Sequence, residues 1–167
     1  YRGLQLDYSR EKIPLGTAGA VKLAGQVVDT EHCLVMNGDS YTKFDLVSLY
    51  MFHKQENANI TLLAKMVDNT TRFGTIQMNE QNEIEKFMEK KPKAVFGLIN
   101  AGVYIMKTSI FQEIPDKIPC SLEYDFFPSM IGRGIFGFKT NGKFIDIGTP
   151  KSYTKAKALL EQPSVLT

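Results

Sequence analysis

The chain has 167 residues, of which 43% are hydrophobic and 23% are charged, and its formal net charge is +2. This composition is typical of a globular protein and excludes an intrinsically disordered chain. The net charge is too small, and the Lys and Arg residues are too scattered, to predict a nucleic acid or a membrane surface as a partner.

The first forty residues predict a βαβ unit. Residues 4–8 alternate apolar and polar side chains, as a half-buried strand does. Gly16 breaks this strand, and Thr17 is expected to cap a helix that continues to Val28. The apolar residues 33–36 predict a second strand that is buried on both faces. A strand, a helix and a buried strand in this order indicate a parallel sheet.

A second helix and four further strands are predicted in the middle of the chain. Asp45 is expected to cap the helix, whose apolar side chains recur at helical spacing. Two of the strands lie on either side of residues 79–82, which indicates a hairpin. The predicted strands are 60–67, 75–78, 84–88 and 99–106.

The last third of the chain predicts a second hairpin and a terminal helix. Asn141-Gly142 is the dipeptide most typical of two-residue hairpin loops, so residues 136–140 and 143–147 are expected to pair. Thr149 is typical of a helix cap, and the helix is expected to reach Glu161. Short helical segments are predicted at 109–113 and 122–132.

No internal repeat or linker interrupts the chain, so a single α/β domain over residues 1–167 is predicted. Because the chain begins with Tyr1 and enters a predicted strand almost at once, it is expected to be a fragment or a processed form.

The cysteines and histidines give no sign of a metal or disulfide framework. Cys33 and Cys120 form no Cys-x-x-Cys pair and are expected to be reduced. His32 and His53 have no partner at a metal-ligand spacing and are expected to be structural. Since no stretch is apolar enough to span a membrane and no signal peptide is visible, a cytoplasmic protein with no membrane partner is predicted.

Two aspartates are candidate ligands for a divalent cation. Asp39 follows the predicted strand 33–36, and ligands of open parallel sheets bind beyond the carboxyl ends of the strands. Asp146 lies between apolar neighbours in a predicted strand. If the two carboxylates converge, they can share one Mg²⁺ and leave its other positions to water and phosphate oxygens. The plainer alternatives are a turn aspartate at 39 and an outward-facing side chain at 146.

Three other segments carry residues that suit a phosphate or a sugar. Residues 15–19 are Gly-rich and enter a helix, whose N-terminus favours anions, but they lack GxGxxG and the P-loop lysine. Glu89 can accept hydrogen bonds from sugar hydroxyls, and Lys90 can hold a phosphate. Asn100 is unusual in an apolar strand and is a candidate to point into a site. A solvated charge run and a turn residue are the plainer explanations.

Six short motifs follow one another along the chain. They are Pro14–Ala20, Asn37–Asp39, Phe73–Ile76, Phe87–Lys90, Ile99–Tyr104 and Phe144–Pro150. In this order they resemble the sugar-phosphate nucleotidyltransferase family over about residues 4–160, and the combination is highly specific. Residues 121–128 most resemble the D-glycero-D-manno-heptose 1-phosphate guanylyltransferases. Mannose-1-phosphate guanylyltransferases and related uridylyltransferases are close alternatives.

This resemblance implies a fold, a cofactor and a set of site residues. The fold is Rossmann-like, with a mixed, mostly parallel sheet flanked by helices, and the cofactor is Mg²⁺. The implied metal ligands are Asp39 and Asp146, which together with Lys90 are the implied catalytic residues. The implied nucleotide-binding residues are Gly16, Thr17 and Ala18, and the implied sugar-phosphate-binding residues are Gly74, Glu89, Lys90 and Asn100.

The resemblance leaves two points about the site open. Glu89-Lys90-Lys91-Pro92 has one residue more than the usual Glu-Lys-Pro of the family, so Lys91 is an alternative to Lys90. The family also begins with a Gly-rich loop whose Arg and Lys grip the triphosphate, and this sequence does not contain that segment. The chain is therefore expected to be the C-terminal portion of the domain and to be incomplete as a catalyst on its own.

The implied activity joins an NTP, with GTP favoured, to a sugar 1-phosphate, with heptose 1-phosphate favoured, and releases pyrophosphate. A glycosyltransferase on a similar fold is an alternative, but Asn37–Ser40 lacks the Asp-x-Asp motif that such enzymes commonly carry. A fragment that only binds nucleotide sugars is a second alternative. Because the family often assembles, a homo-oligomer is a further expectation.

Overall fold

A computed structural model describes residues 3, 5–90, 92, 95–150, 152–154 and 156 of the chain. The helices are α1 (Gly16–Ala24) and α2 (Leu46–Gln55). The strands are β1 (His32–Met36), β2 (Ser40–Thr42), β3 (Ile60–Val67), β4 (Thr75–Met78), β5 (Ile84–Met88), β6 (Gly97–Lys107), β7 (Ile135–Thr140) and β8 (Phe144–Asp146). The shorter turns are 3₁₀-helical at Gly25–Val27, Thr108–Glu113 and Phe127–Met130, and π-helical at Leu122–Phe126.

The strands β3 and β6 form the centre of a mixed sheet. Its order in the described residues is β5-β4-β6-β3-β7, and β1 also pairs with β6. The pair β3–β7 is parallel, whereas β6 is antiparallel to β1, β3 and β4, and β4 to β5. The predicted mixed sheet with flanking helices is confirmed, but parallel pairing is confined to β3–β7 in the part of the chain described.

The predicted βαβ unit is wrong. Residues 5–8 are exposed and form no strand, and Leu4 lies outside the described residues. The strand β1 pairs antiparallel with β6, and its Leu34 and Met36 side chains are 39% and 52% exposed rather than buried on both faces. An apolar alternation over four or five residues does not make a strand unless a neighbouring strand accepts its backbone hydrogen bonds.

The helices begin where their backbone N–H groups find acceptors. Asp45 caps α2 as predicted, since Oδ1 accepts the N–H groups of Val47 and Ser48 at 2.9 and 3.2 Å. Thr17 does not cap α1, which begins at Gly16, one residue earlier.

In the described residues, no helix combines the length and the apolar character that crossing a membrane requires.

The predicted terminal helix begins as expected. Thr149 Oγ1 accepts the backbone N–H of Ser152 at 3.2 Å, as a helix cap does. Residues 150, 152–154 and 156 are helical, and the predicted end at Glu161 lies outside the described residues.

The two predicted hairpins have different outcomes. The strands β4 and β5 pair around residues 79–82 as predicted. The hairpin at Asn141-Gly142 is wrong, because β7 pairs with β3 while β8 pairs with β2 in a separate two-stranded sheet. Neither residue of the dipeptide has the positive φ that a type I′ turn requires. The chain instead crosses here from one sheet to the other.

Both faces of the main sheet are covered. In β3, Leu62 enters a cluster with Ala18 of α1 and the turns after residue 108, whereas its neighbour Leu63 enters a second cluster with Leu49 of α2. All four side chains are fully buried. This alternation has the period of two that a strand between two covering layers requires.

Candidate active site

A gap in the pairing of the central strand β6 opens a cleft between β4 and β1. On this side β6 pairs with β4 at Ile99, and with β1 from Val103 onwards. The opposite side of β6 pairs with β3, and no strand of the described residues pairs with residues 100–102 on the cleft side. These three residues line a cleft of about 500 Å³.

The backbone at Gly102 shapes this gap. Between the pairs Leu62–Tyr104 and Ala64–Asn100, one residue of β3 lies opposite three residues of β6, which is a bulge. Gly102 lies in the bulge with φ of +73°, a conformation that costs glycine little.

The space beside Gly102 is also filled. A Cβ at this position would lie 2.7 Å from Asn37 Nδ2 and 2.9 Å from Ser40 Oγ. Both of these side chains line the cleft. A glycine therefore lets the cleft wall approach β6 closely.

The pairing of β2 with β8 brings Asp39 and Asp146 together. Ser40 lies directly opposite Asp146, and the Ile147 N–H donates to the Asp39 carbonyl at 2.8 Å. A Cβ on Gly148 would lie 3.2 Å from Asp146 Oδ1 and 3.3 Å from Asp39 Oδ2. The two carboxylates therefore converge at the mouth of the cleft, whose lining includes both.

Arg72 forms an ion pair with Asp146, and no sequence pattern pointed to it. Its Nη2 lies 2.6 Å from Asp146 Oδ2, and the Gly148 N–H donates to Asp146 Oδ1 at 2.8 Å. In contrast, no hydrogen bond or ion pair reaches the Asp39 carboxylate from any residue that the structure describes. The only signal for Arg72 in the sequence is that it directly precedes the motif Phe73–Ile76.

The donor set at this point suits Mg²⁺. Both carboxylates offer oxygen, and Mg²⁺ is commonly held by one or two carboxylates while waters and phosphate oxygens fill its octahedron. Within the described ranges, no cluster of three or more His, Cys, Asp or Glu side chains could hold a metal ion. A site of two carboxylates would therefore depend on the ligand for its remaining oxygens.

The residues assigned to the sugar phosphate lie in the same cleft. Its lining includes Gly74 before β4, Glu89 and Lys90 after β5, and Asn100 in β6. The side chains of Glu89 and Lys90 are exposed. The alternative residue, Lys91, lies outside the described residues.

A buried tyrosine connects Asn100 to Glu123. The Asn100 amide donates to Tyr104 Oη at 2.8 Å, and Tyr104 Oη donates to Glu123 Oε1 at 3.2 Å. Asn100 Nδ2 is also 3.3 Å from the same Glu123 oxygen. Burial and the Glu123 carboxylate raise the pKa of Tyr104, so its hydroxyl stays protonated and donates. The network holds the Glu123 carboxylate at the cleft, a role that no sequence pattern predicted.

Polar contacts hold the turn that carries Glu123 in place. The Leu122 N–H donates to Thr17 Oγ1 at 2.9 Å, so Thr17 supports this turn instead of capping α1. Asp125 accepts the Ser121 N–H at 2.7 Å and pairs with Lys117 at 2.7 Å. These bonds lower the pKa of Asp125, and the bond from Lys117 has the largest effect.

The residues assigned to the nucleotide do not line the cleft. Gly16 has φ of +79°, and a Cβ there would lie 2.4 Å from the Cys120 carbonyl oxygen. Ala18 is fully buried, and its N–H donates to the same oxygen at 2.9 Å. The start of α1 is thus packed against Cys120 through Gly16 and Ala18, while Thr17 is exposed.

The charged groups that line the cleft are mostly acidic. Its described lining carries two basic side chains against four carboxylates. The carboxylates are Asp39, Glu89, Glu123 and Asp146, and the basic groups are Arg72 and Lys90. An anionic phosphate would therefore enter more favourably together with an additional cation.

Curated relatives of the chain share one activity in their names. The chain is 34% identical over 160 residues to a mannose-1-phosphate guanylyltransferase catalytic subunit beta of Dictyostelium discoideum. This match covers 94% of the chain and 44% of that protein. It is 30% identical over 159 residues to a mannose-1-phosphate guanylyltransferase of Mycobacterium tuberculosis, and this match covers 93% of the chain and 44% of that protein. The chain thus spans less than half the length of these relatives.

Solved structures share the fold. HddC from Yersinia pseudotuberculosis has a TM-score of 0.75 and 28% identity, covering 90% of this chain and 65% of that one, and it is also known in complex with GMP-PN. A putative glucose-1-phosphate thymidylyltransferase from Bacillus anthracis has a TM-score of 0.77 and 20% identity, and the match covers 95% of this chain and 65% of that one. At this identity it shows the fold alone. The sequence itself matches the Nucleotidyl transferase family (NTP_transferase) over residues 2–163, and the chain belongs to this family.

Proposed function

We propose that the protein is a sugar-1-phosphate nucleotidylyltransferase. The observation that carries the proposal is the pairing of β2 with β8, which puts the carboxylates of Asp39 and Asp146 side by side at the cleft. The same cleft is lined by Glu89, Lys90 and Asn100, which are able to bind a phosphate and sugar hydroxyls. The names of the curated relatives support the same activity.

The proposed reaction forms one P–O bond and breaks another. A phosphate oxygen of the sugar 1-phosphate attacks the α-phosphorus of the NTP. The bond from this phosphorus to the oxygen that bridges to the β-phosphate breaks, and pyrophosphate leaves with the electron pair. Because the nucleophile is already an anion, no general base is required. Catalysis then consists of alignment and neutralisation of charge.

The cleft residues divide into a metal side and a sugar side. Asp39 and Asp146 would hold Mg²⁺, which when bound neutralises phosphate charge. Lys90 would hold the phosphate of the sugar phosphate, while Glu89 and Asn100 would bind sugar hydroxyls. Gly74 also lines the cleft and lets a ligand approach the backbone closely.

The nucleotide side is the part of the proposal for which this chain supplies the fewest groups. Gly16 and Thr17 remain the proposed contacts to the nucleotide, whereas the buried Ala18 would contribute through packing of the α1 start. GTP is favoured because the curated relatives are named guanylyltransferases and HddC is known with GMP-PN. Heptose 1-phosphate is the proposed sugar from the Ser121–Pro128 motif, and mannose 1-phosphate is the alternative from the relatives.

The test is pyrophosphate release by the full-length protein that carries this chain. GTP, UTP, CTP, ATP and dTTP are each combined with heptose, mannose or glucose 1-phosphate in the presence of Mg²⁺. Release with GTP and one sugar is expected. Release with no pair, from protein shown to be folded, would favour the alternative that the chain only binds nucleotide sugars.

Substitution of the two aspartates tests the metal side separately. Asp39→Asn and Asp146→Asn are each expected to lower turnover at least about a hundredfold, as loss of one main electrostatic stabiliser does, with circular dichroism unchanged. Asp116→Asn is the matched control, since this carboxylate is exposed and pairs with Lys22 outside the cleft. A rate near that of the wild type in either cleft variant would contradict the metal assignment.

A further inference from the structure

We infer that Arg72 is a positioning residue that changes partners: it neutralises Asp146 when no cation is bound, and it turns to a phosphate of the ligand when a divalent cation binds beside Asp146. The inference rests on the proposed function. It adds to that function a residue that couples the binding of the cation to the binding of the anionic ligand.

The contacts of Asp146 allow this exchange. Arg72 holds Oδ2 at 2.6 Å, whereas Oδ1 accepts the Gly148 N–H at 2.8 Å. A Cβ on Gly148 would lie near both Asp146 Oδ1 and Asp39 Oδ2, so Oδ1 is on the side of Asp146 that Gly148 shares with Asp39. The bond from the backbone remains when the guanidinium leaves. Asp146 therefore keeps its orientation without Arg72, and the main effect of Arg72 on this carboxylate is its charge.

That charge opposes a cation at the same place. A divalent ion between Asp39 and Asp146 would lie within a few ångströms of the guanidinium, where like charges repel even through water. The Asp146 side chain is only 19% exposed, so solvent screens this repulsion incompletely. Removal of the charge at position 72 should therefore strengthen the binding of a cation.

Arg72 is also able to reach a ligand. Its side chain is 47% exposed, it lines the cleft, and the other basic side chain of the described lining is Lys90. A guanidinium binds a phosphate with two parallel hydrogen bonds, which an ammonium group cannot reproduce. A phosphate that enters with the cation gives the displaced Arg72 a new anionic partner.

The decisive experiment measures Mn²⁺ affinity without nucleotide, by electron paramagnetic resonance, in the full-length protein and three variants. Arg72→Gln should lower the Kd for Mn²⁺ by about tenfold through loss of the repelling charge, whereas Arg72→Lys should stay near the wild type. Arg133→Gln is the matched control, because Arg133 pairs with Glu113 away from the cleft and is similarly exposed; its Kd for Mn²⁺ should not change.

In the pyrophosphate assay, Arg72→Gln should raise KM for the anionic substrates by about tenfold, because one charge-assisted contact to a phosphate is lost.

Opposite signs for the metal and for the substrate are the signature of the exchange. If Arg72→Gln binds Mn²⁺ as the wild type does, or more weakly, the inference is overturned while the proposed function stands. An unchanged KM in Arg72→Gln overturns the second half of the exchange. If the wild type binds no Mn²⁺, the inference fails with the metal assignment, and the pyrophosphate assay then decides the proposed function independently.

Discussion

At the scale of single residues, Gly102 shapes the cleft both through its positive φ and through its lack of a side chain. Its positive φ places the bulge of β6, and the missing side chain admits Asn37 and Ser40. The Asn37 N–H also donates to the Gly102 carbonyl at 2.8 Å, which ties the loop that carries Asp39 to β6. A single glycine thus determines how closely the loop that carries Asp39 approaches β6.

Gly102→Ala is expected to destabilise the protein by about 1–3 kcal/mol, since a left-handed conformation costs a residue with a Cβ and two packed side chains must move. Chemical denaturation measures the change. Gly38→Ala, in the loop that carries Asp39, is the control, because nothing lies within 4 Å of a Cβ there and its φ is not positive. Equal stability of the two variants would show that the bulge tolerates a side chain.

At the scale of elements, α2 is attached to the sheet through a buried histidine. His53 Nδ1 lies 2.8 Å from Thr61 Oγ1 of β3, and its ring packs edge-on against the ring of His32 in β1 at 5.0 Å. The Nε2 atoms of both histidines are buried and have no partner among the described residues. Protonation of either ring would put an N–H at a buried Nε2 for which the described residues offer no acceptor, although Glu31 lies 3.7 Å from Nδ1 of His32.

Folding stability is expected to fall as the pH is lowered from 6.5 to about 4. Burial lowers the pKa of His53 from 6.5 to about 4, with the charges of His32, Lys107 and Lys54 acting in the same direction. Burial also lowers the pKa of His32, against the opposing effect of Glu31. In this interval the unfolded chain therefore binds a proton that the folded chain does not bind. The contribution of the neutral histidines to stability is complete above pH 6.5 and is lost as the pH falls below it.

The measurement is the midpoint of thermal unfolding between pH 7 and 4, for the wild type and His53→Gln. The variant should show a shallower dependence on pH, because glutamine does not titrate. Carboxylates with a lowered pKa, such as Asp125, begin to lose their contribution at about pH 5. They are the same in both proteins, so the difference between the two slopes reports on His53. An identical slope in both proteins would remove His53 as the cause.

At the scale of the whole molecule, the main sheet is a central layer with a core on each face. Adjacent residues of β3 enter different clusters, with Phe126 and Phe127 in one and Leu49 of α2 in the other. The cleft opens within this layer, between β4 and β1, where the pairing of β6 is interrupted. The buried clusters on both faces of the sheet hold β6 in place.

Leu62→Ala and Leu63→Ala are expected to have similar effects, each lowering the free energy of unfolding by about 2–5 kcal/mol through lost burial and a residual cavity. Both side chains are fully buried on opposite faces of β3. Chemical denaturation of the two variants compares the faces directly. A small loss for one of them would mean that its face of the sheet is open to solvent. Val47→Ala, at a position 71% exposed on α2, is the control and should change stability little.

The sequence by itself determined the elements that depend on local patterns. The strand β3, the hairpin β4–β5 and the Asp45-capped α2 follow from periodicity, turn residues and capping, which act over a few neighbours. Asp39 and Asp146 could each be named as a candidate metal ligand because of their position beside apolar strands. Their proximity could not be read from these positions, since local patterns do not specify which strands pair.

Only the tertiary structure decided the contacts between distant segments. The pairing of β8 with β2 overrode the turn dipeptide Asn141-Gly142, because backbone hydrogen bonds to a distant strand outweigh a local turn preference. The same pairing puts Asp146 next to Asp39 and within reach of Arg72. The ion pair and the buried Tyr104–Glu123 contact join residues that no helical or strand period relates, so packing alone brings them together.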